Sequence, residues 1–312
     1  MSDAFVPEPL AATDANPVNA MSVDVEEYFQ VSAFESHVPF ERWETIPGRV
    51  EAAMDRILAM FELAGVRATF FTLGWIAERH PGMLRRVVDA GHEIASHGMH
   101  HVRVINQDRA TFAADIRRAK GVLEDVTGQR VRGYRAPSYS IGRTNLWALD
   151  ELAEAGHVYS SSIFPGAHDA YGMAEAPRFA FRVQDSGLLE IPVTTVEAGG
   201  KRFPCAGGGF FRLYPYALTR AALRRVNRRD GRAALFYFHP WELDPAQPRV
   251  PGVSLKTRFR HYLNLHRVEP RLARLLADFR WDRMDRVFPV EGAASTHRDV
   301  FDNPPYKTAR AS

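Results

Sequence analysis

Ala68-Thr69-Phe70-Phe71-Thr72-Leu73, residues 81–90 and His92-Glu93-Ile94-Ala95-Ser96 make one strand–helix–strand unit. The first run is β-branched and aromatic, as a buried strand requires. Pro81 suits the first turn of a helix, where its missing N–H costs nothing, and Gly91 ends that helix. The third run is a second strand. Two strands joined through a helix lie parallel, with the helix as crossover.

The rhythm extends in both directions. Upstream, Asn19-Ala20-Met21-Ser22-Val23-Asp24-Val25 reads as a strand. Residues 50–64 have helical periodicity through Val50, Met54, Ile57, Leu58, Phe61 and Leu63, closed by Gly65. Downstream, helices are expected over 111–126, 145–155 and 215–227, and strands over 131–135, 158–162, 188–193 and 233–238. Seven or so such units predict an α/β fold: an irregular (β/α)7-type barrel, closed or nearly so, with a C-terminal helical extension.

The bulk properties narrow the classes. The chain has 312 residues, 46% hydrophobic and 25% charged, which is ordinary for a globular protein. One cysteine, Cys205, excludes an intramolecular disulfide and a thiolate zinc cluster. The net charge of +3 is too small for a nucleic-acid surface, and no nucleic-acid motif accompanies it. No apolar run reaches the ~18 residues of a transmembrane helix, and residues 1–20 lack a signal-peptide core, so a cytoplasmic location is expected. The expected organisation is a disordered leader over 1–18, the barrel over 19–250, an extension packed on it over 251–290 and a loose tail over 291–312. Residues 164–181 and 203–212 read as excursions over the barrel rim; Gly207-Gly208-Gly209 lacks the Lys-Ser/Thr of a phosphate loop.

Asp24, Glu26, His97, His101, Arg135 and His239 all fall at the C-terminal end of an expected strand or just past it. In α/β barrels that face carries the active site, because the βα loops converge there. His97 and His101, four apart, can turn to one side of a helical turn and share a metal. A carboxylate from an earlier strand end completes a site with two nitrogens, one oxygen and open positions, the mark of a catalytic metal. Side chains alternate along a strand, so Asp24 and Glu26 share a face while Glu27 points away. Which of the three acids touches the metal stays open at this level.

Together these residues resemble the polysaccharide deacetylase family (NodB homology, carbohydrate esterase 4). More narrowly, Ser22-Val23-Asp24-Val25-Glu26-Glu27-Tyr28-Phe29-Gln30, Tyr237-Phe238-His239-Pro240-Trp241-Glu242 and Arg258-Phe259-Arg260-His261-Tyr262 resemble the subgroup found beside exopolysaccharide and exosortase (PEP-CTERM) loci. The resemblance implies a NodB-like barrel and a hydrolase that removes N-linked acetyl groups from amino sugars of a polysaccharide or its precursor. An allantoinase-like hydrolase of a small cyclic amide and an inactive glycan-binding protein are the alternatives. It implies Asp24 as base, Arg135 as the residue that holds Asp24, His239 as general acid, and Glu26, His97 and His101 as ligands of a divalent metal, Zn²⁺ before Co²⁺ or Ni²⁺. Pro137, Tyr139, Trp241 and Phe211 are expected to meet the N-acetylated glycan, with a backbone N–H near Tyr139 holding the oxyanion. The family's fourth motif carries an Asp that buttresses the catalytic His; Ser160 stands there, so Ser160→Asp is expected to act on His239.

Overall fold

A computed structural model of the chain describes residues 8–9, 17–166, 172–184 and 186–290. The strands are β1 (Glu8–Pro9), β2 (Asn19–Val25), β3 (Thr69–Thr72), β4 (Glu93–Ser96), β5 (Gly133–Tyr134), β6 (Tyr159–Ser160), β7 (Phe181–Arg182), β8 (Leu189–Glu190), β9 (Thr195–Ala198), β10 (Lys201–Pro204), β11 (Leu235–Phe238) and β12 (Trp281–Asp282). The helices are α1 (Val50–Ala64), α2 (Gly74–Arg79), α3 (Pro81–Asp89), α4 (Arg109–Thr127), α5 (Trp147–Glu154), α6 (Gly208–Leu213), α7 (Tyr216–Arg228), α8 (Leu255–Tyr262), α9 (Val268–Asp278) and α10 (Met284–Val287). The main sheet has the order β1-β7-β8-β6-β5-β4-β3-β2-β11, with β12 also on β2. From β8 to β11 every neighbour is parallel, and helices make the crossovers from β2 through β6.

The expected irregular α/β barrel is thus present, as a curled sheet that its strand ladder does not close. Pro192, two residues past β8, has no N–H to extend the ladder. The gap is spanned by single contacts instead. Leu235 N–H donates to Thr194 Oγ1 at 2.7 Å, and Gly207 makes an isolated parallel bridge to Tyr237.

Alternation sets the layers. In β3, Phe70 packs outward with Met54, Ile57 and Phe61 of α1, while Phe71 points inward with Ala95, Tyr159, Leu235 and Met284. Every residue of β2 is buried, because it is flanked on both edges, by β3, β11 and β12.

The extension over 251–290 departs from an outside packing. α8 and α9 lie against the barrel, but β12 joins the start of β2 and Met284 enters the interior. There Met284 N–H donates to Thr69 Oγ1 at 2.8 Å. An apolar side chain is needed to fill the base of an unclosed barrel. Of the leader expected over 1–18, Glu8–Pro9 pair with β7 rather than hanging free; the remainder, apart from residues 17 and 18, lies outside the described residues, as does the tail over 291–312. No described helix is long and apolar enough to cross a membrane.

Candidate active site

The site grows from the C-terminal ends of the parallel strands. On β2 the two-residue period puts Ser22, Asp24 and, just beyond, Glu26 on one side. The ends of β4, β5 and β11 deliver His97, Arg135 and His239. His97 and His101 meet with ring centroids 5.3 Å apart, although no helical turn joins them. The chain instead bends through positive φ at Gly98 (79°) and His101 (56°). Ser138 (55°) and Tyr139 (50°), on the loop after β5, share this uncommon backbone region.

One ligand atom each from Glu26, His97 and His101 lie within 4.8 Å of one another, all three residues buried. Glu26 Oε2 stands 2.8 Å from His101 Nε2, yet it has no aligned hydrogen-bond partner, and neither does His101 Nδ1. A buried carboxylate oxygen left in this way, facing imidazole nitrogens, suits a cation between them. His97 Nδ1 lies 2.8 Å from Arg135 O. A carbonyl only accepts, so Nδ1 carries the proton and Nε2 keeps its lone pair for a metal. Burial pushes the His97 imidazole down to about 4, which keeps it neutral at ordinary pH. Burial raises the Glu26 carboxyl, but His101, His239 and His97 together bring it down to about 2. Trp241 Nε1–H donates to Glu26 Oε1 at 3.0 Å and fixes that carboxylate. Glu27 is turned away: its oxygens take the N–H groups of Arg49 (2.7 Å) and Val50 (3.0 Å) at the start of α1.

Arg135 is fully buried and binds Asp24 Oδ1 at 2.5 Å. It also donates to Ser22 Oγ (2.9 Å), Ser161 Oγ (3.1 Å) and Ser161 O (3.3 Å). Phe71 covers its guanidinium at 4.0 Å. His239 faces this pair, with Nε2 3.9 Å from Asp24 Oδ2 and 3.7 Å from Glu26 Oε1. Its Nδ1 is 2.6 Å from Glu242 Oε1. Burial lowers the His239 imidazole, but the Glu242 hydrogen bond and the charges of Glu26, Glu242 and Asp24 lift it to about 9.

Residues 43–159 match the family model described as polysaccharide deacetylase, a span that contains His97, His101 and Arg135. That segment of the chain is similar to polysaccharide deacetylases. Residues 161–289 match a second model, a domain of unknown function (DUF3473). Over 87 residues the chain is 30% identical to a peptidoglycan deacetylase of Helicobacter pylori, covering 28% of this chain and 30% of that one. Over 97 residues it is 28% identical to a peptidoglycan-N-acetylglucosamine deacetylase of Bacillus cereus, covering 31% and 35%. The chain thus spans about a third of the length of these curated relatives. A solved structure from Mycobacterium smegmatis, assigned as a polysaccharide deacetylase, shares the fold with a TM-score of 0.58 at 21% identity, covering 91% of this chain and 93% of that one.

The structure changes several of the expected roles. Ser160 Oγ donates to Ser162 Oγ at 2.8 Å and does not reach His239, which is served by Glu242. Phe211, expected at the glycan, is fully buried against Phe236 with centroids 5.0 Å apart; helix α6 folds this part of the rim excursion into the core. Trp241 offers no face to a sugar, because His239 and His261 stack on it at 5.1 and 4.1 Å. Of the backbone N–H groups near Tyr139, one of which is expected at the oxyanion, that of Tyr139 itself donates to Ala136 O at 3.0 Å within a tight turn. Pro137 and Tyr139 are both buried on that turn, and the Tyr139 ring packs edge-on against Tyr237 at 5.1 Å. Sequence reasoning did not single out Glu242, yet a signal existed: it stands three residues after His239 at the start of a helical turn, the spacing of a capping box.

Proposed function

We propose that this chain is a metal-dependent hydrolase that removes N-linked acetyl groups from the amino sugars of a glycan. The observation that carries the reading is the adjacency of two sets: the buried Glu26–His97–His101 cluster, and Asp24 between Arg135 and His239. Glu26, His97 and His101 would hold a divalent cation, Zn²⁺ before Co²⁺ or Ni²⁺, which would supply Lewis acidity toward the acetyl carbonyl. Asp24, aimed by Arg135, takes a proton from the water that adds to the carbonyl carbon. His239 Nε2–H gives a proton to the amide nitrogen as the C–N bond breaks and its electron pair moves to nitrogen. The products are acetate and a free amino sugar. The curated relatives' names support an N-acetylglucosamine-bearing glycan, and the quoted sequence strings support an exopolysaccharide or its precursor.

The test is acetate release from N-acetylglucosamine oligomers. The expected result is release that a chelator stops, that Zn²⁺ restores and that Asp24→Asn abolishes. Release indifferent to chelator, or turnover of a cyclic amide such as allantoin with none of any acetylated glycan, would overturn the reading.

A further inference from the structure

The match to a deacetylase ends at residue 159, and the segment beyond it matches a domain of unknown function. That second segment supplies His239 and its hydrogen-bond partner Glu242. Glu242 is fully buried with both oxygens engaged: Oε1 on His239 Nδ1 at 2.6 Å, Oε2 receiving Arg212 Nε–H at 2.9 Å. Arg212, also buried, reaches back to the C-terminal extension, donating to the carbonyls of His261 and Leu263. The extension answers: Asn264 Nδ2 and Arg271 Nη1 donate to Arg212 O at 2.9 and 3.0 Å. Trp241 lies between the rings of His239 and His261, tilted by 22° and 14°.

We infer that the segment over 161–289 completes the deacetylase site by clamping His239 through Glu242 and Arg212, so that Nε2–H is presented to the leaving amine. The inference rests on the hydrolysis proposed above. A carboxylate only accepts, so Glu242 obliges Nδ1 to hold a proton and turns Nε2 toward Asp24 and Glu26. Arg212 supplies the countercharge that lets a carboxylate stay buried there. Among the described residues Glu242 is the carboxylate in contact with His239 Nδ1, whereas Asp24 and Glu26 approach Nε2. Ser160 bonds Ser162, and Glu190 Oε1 accepts the N–H groups of Ser162 and Ile163, each at 2.8 Å. Glu242 and Arg212 are positioning residues; they act through His239.

Leaving-group dependence separates this role from a structural one. An amine departs only once protonated, whereas 4-nitrophenolate leaves without a proton. Glu242→Gln is expected to lower kcat on an N-acetylglucosamine oligomer by about 100-fold. KM is expected to stay near wild type, and so is the rate on 4-nitrophenyl acetate. Glu242→Asp is expected to recover part of the amide rate, and in a His239→Ala background Glu242→Gln is expected to cost nothing more. If Glu242→Gln does not fold, Glu242→Asp and Arg212→Lys, which keep both charges, carry the same amide-over-ester criterion. An equal loss on both substrates, or a loss on neither, overturns the clamp. A wild-type chain that cleaves the ester and never the amide overturns the proposed function instead.

Discussion

Arg135 holds a full charge with no exposure, so its partners decide whether it is tolerated at all. Ser22, Asp24 and Ser161 take its N–H groups, and Asp24 is itself almost fully buried. Removing one partner of a buried ion pair leaves the other charge stranded, which costs about 3–5 kcal/mol. Arg135→Met is therefore expected to lose that much in urea denaturation, and adding Asp24→Asn is expected to restore part of it. A loss confined to activity would mean that the pair carries no stability. Trp241 acts on the Glu26–His97–His101 cluster through its contact with Glu26. Trp241→Phe keeps a ring between His239 and His261 but removes the N–H on Glu26. Metal titration is expected to show ~10–100-fold weaker binding, the usual range when such an outer contact is lost.

At the scale of elements, β2 does most of the positioning, and it does so by period alone: Ser22, Asp24 and Glu26 share one side of one strand. The loops after β4 and β5 add what a strand cannot, through positive φ at His101, Ser138 and Tyr139. Where the ladder stops after β8, the join to β11 depends on Gly207, with φ at 126°. A Cβ there would stand 1.9 Å from Tyr237 O, inside the backbone of the strand that ends in His239. Gly207→Ala is expected to lower the thermal midpoint, by at least ~1 kcal/mol in stability. An unchanged melt would show that the bridge does not hold β11. The positions of α1, α3, α4, α5 and α7 were legible in the sequence, because periodicity and stop residues are local; Gly65 and Gly128 end α1 and α4 in the left-handed conformation. The join at Gly207 was not legible, because it depends on how far the sheet curls.

For the molecule as a whole, the extension closes the fold as well as the site. Trp281 and Met284 are buried at the base of the barrel, so a chain ending at residue 280 is expected to lose cooperative unfolding, as followed by circular dichroism. A sharp, wild-type-like transition would show the base to be dispensable. Stability also has a titrating part at His157, whose imidazole is pushed down to about 3 by burial, with Lys120 adding to the effect. Between an unfolded value of about 6.5 and that folded value, the unfolded chain binds a proton that the folded chain refuses. His157 thus costs nothing above pH ~6.5 and destabilises by about 1 kcal/mol per pH unit as pH falls below it. Glu27 and Glu93, both pushed up to about 7 by burial, act in the opposite sense. The measurement is therefore the difference between wild type and His157→Gln. Wild type is expected to lose ground to the variant as pH falls from 6.5 to 4, and a constant difference would refute the assignment.

The sequence by itself determined the parallel α/β alternation and the gathering of Asp24, Glu26, His97, His101, Arg135 and His239 at strand ends. It also turned Glu27 away. Each of these follows from a period, a cap or a stop within a few residues. Tertiary structure alone decided that Arg212, 30 residues from Glu242, would neutralise it. It likewise decided that His261 would lie flat on Trp241, that Phe211 would be core and that Ser160 would bond Ser162. Local pattern assigns a side chain to a face. Which distant charge or ring meets it depends on the curl of the whole sheet and on what is left to fill the space that curl leaves.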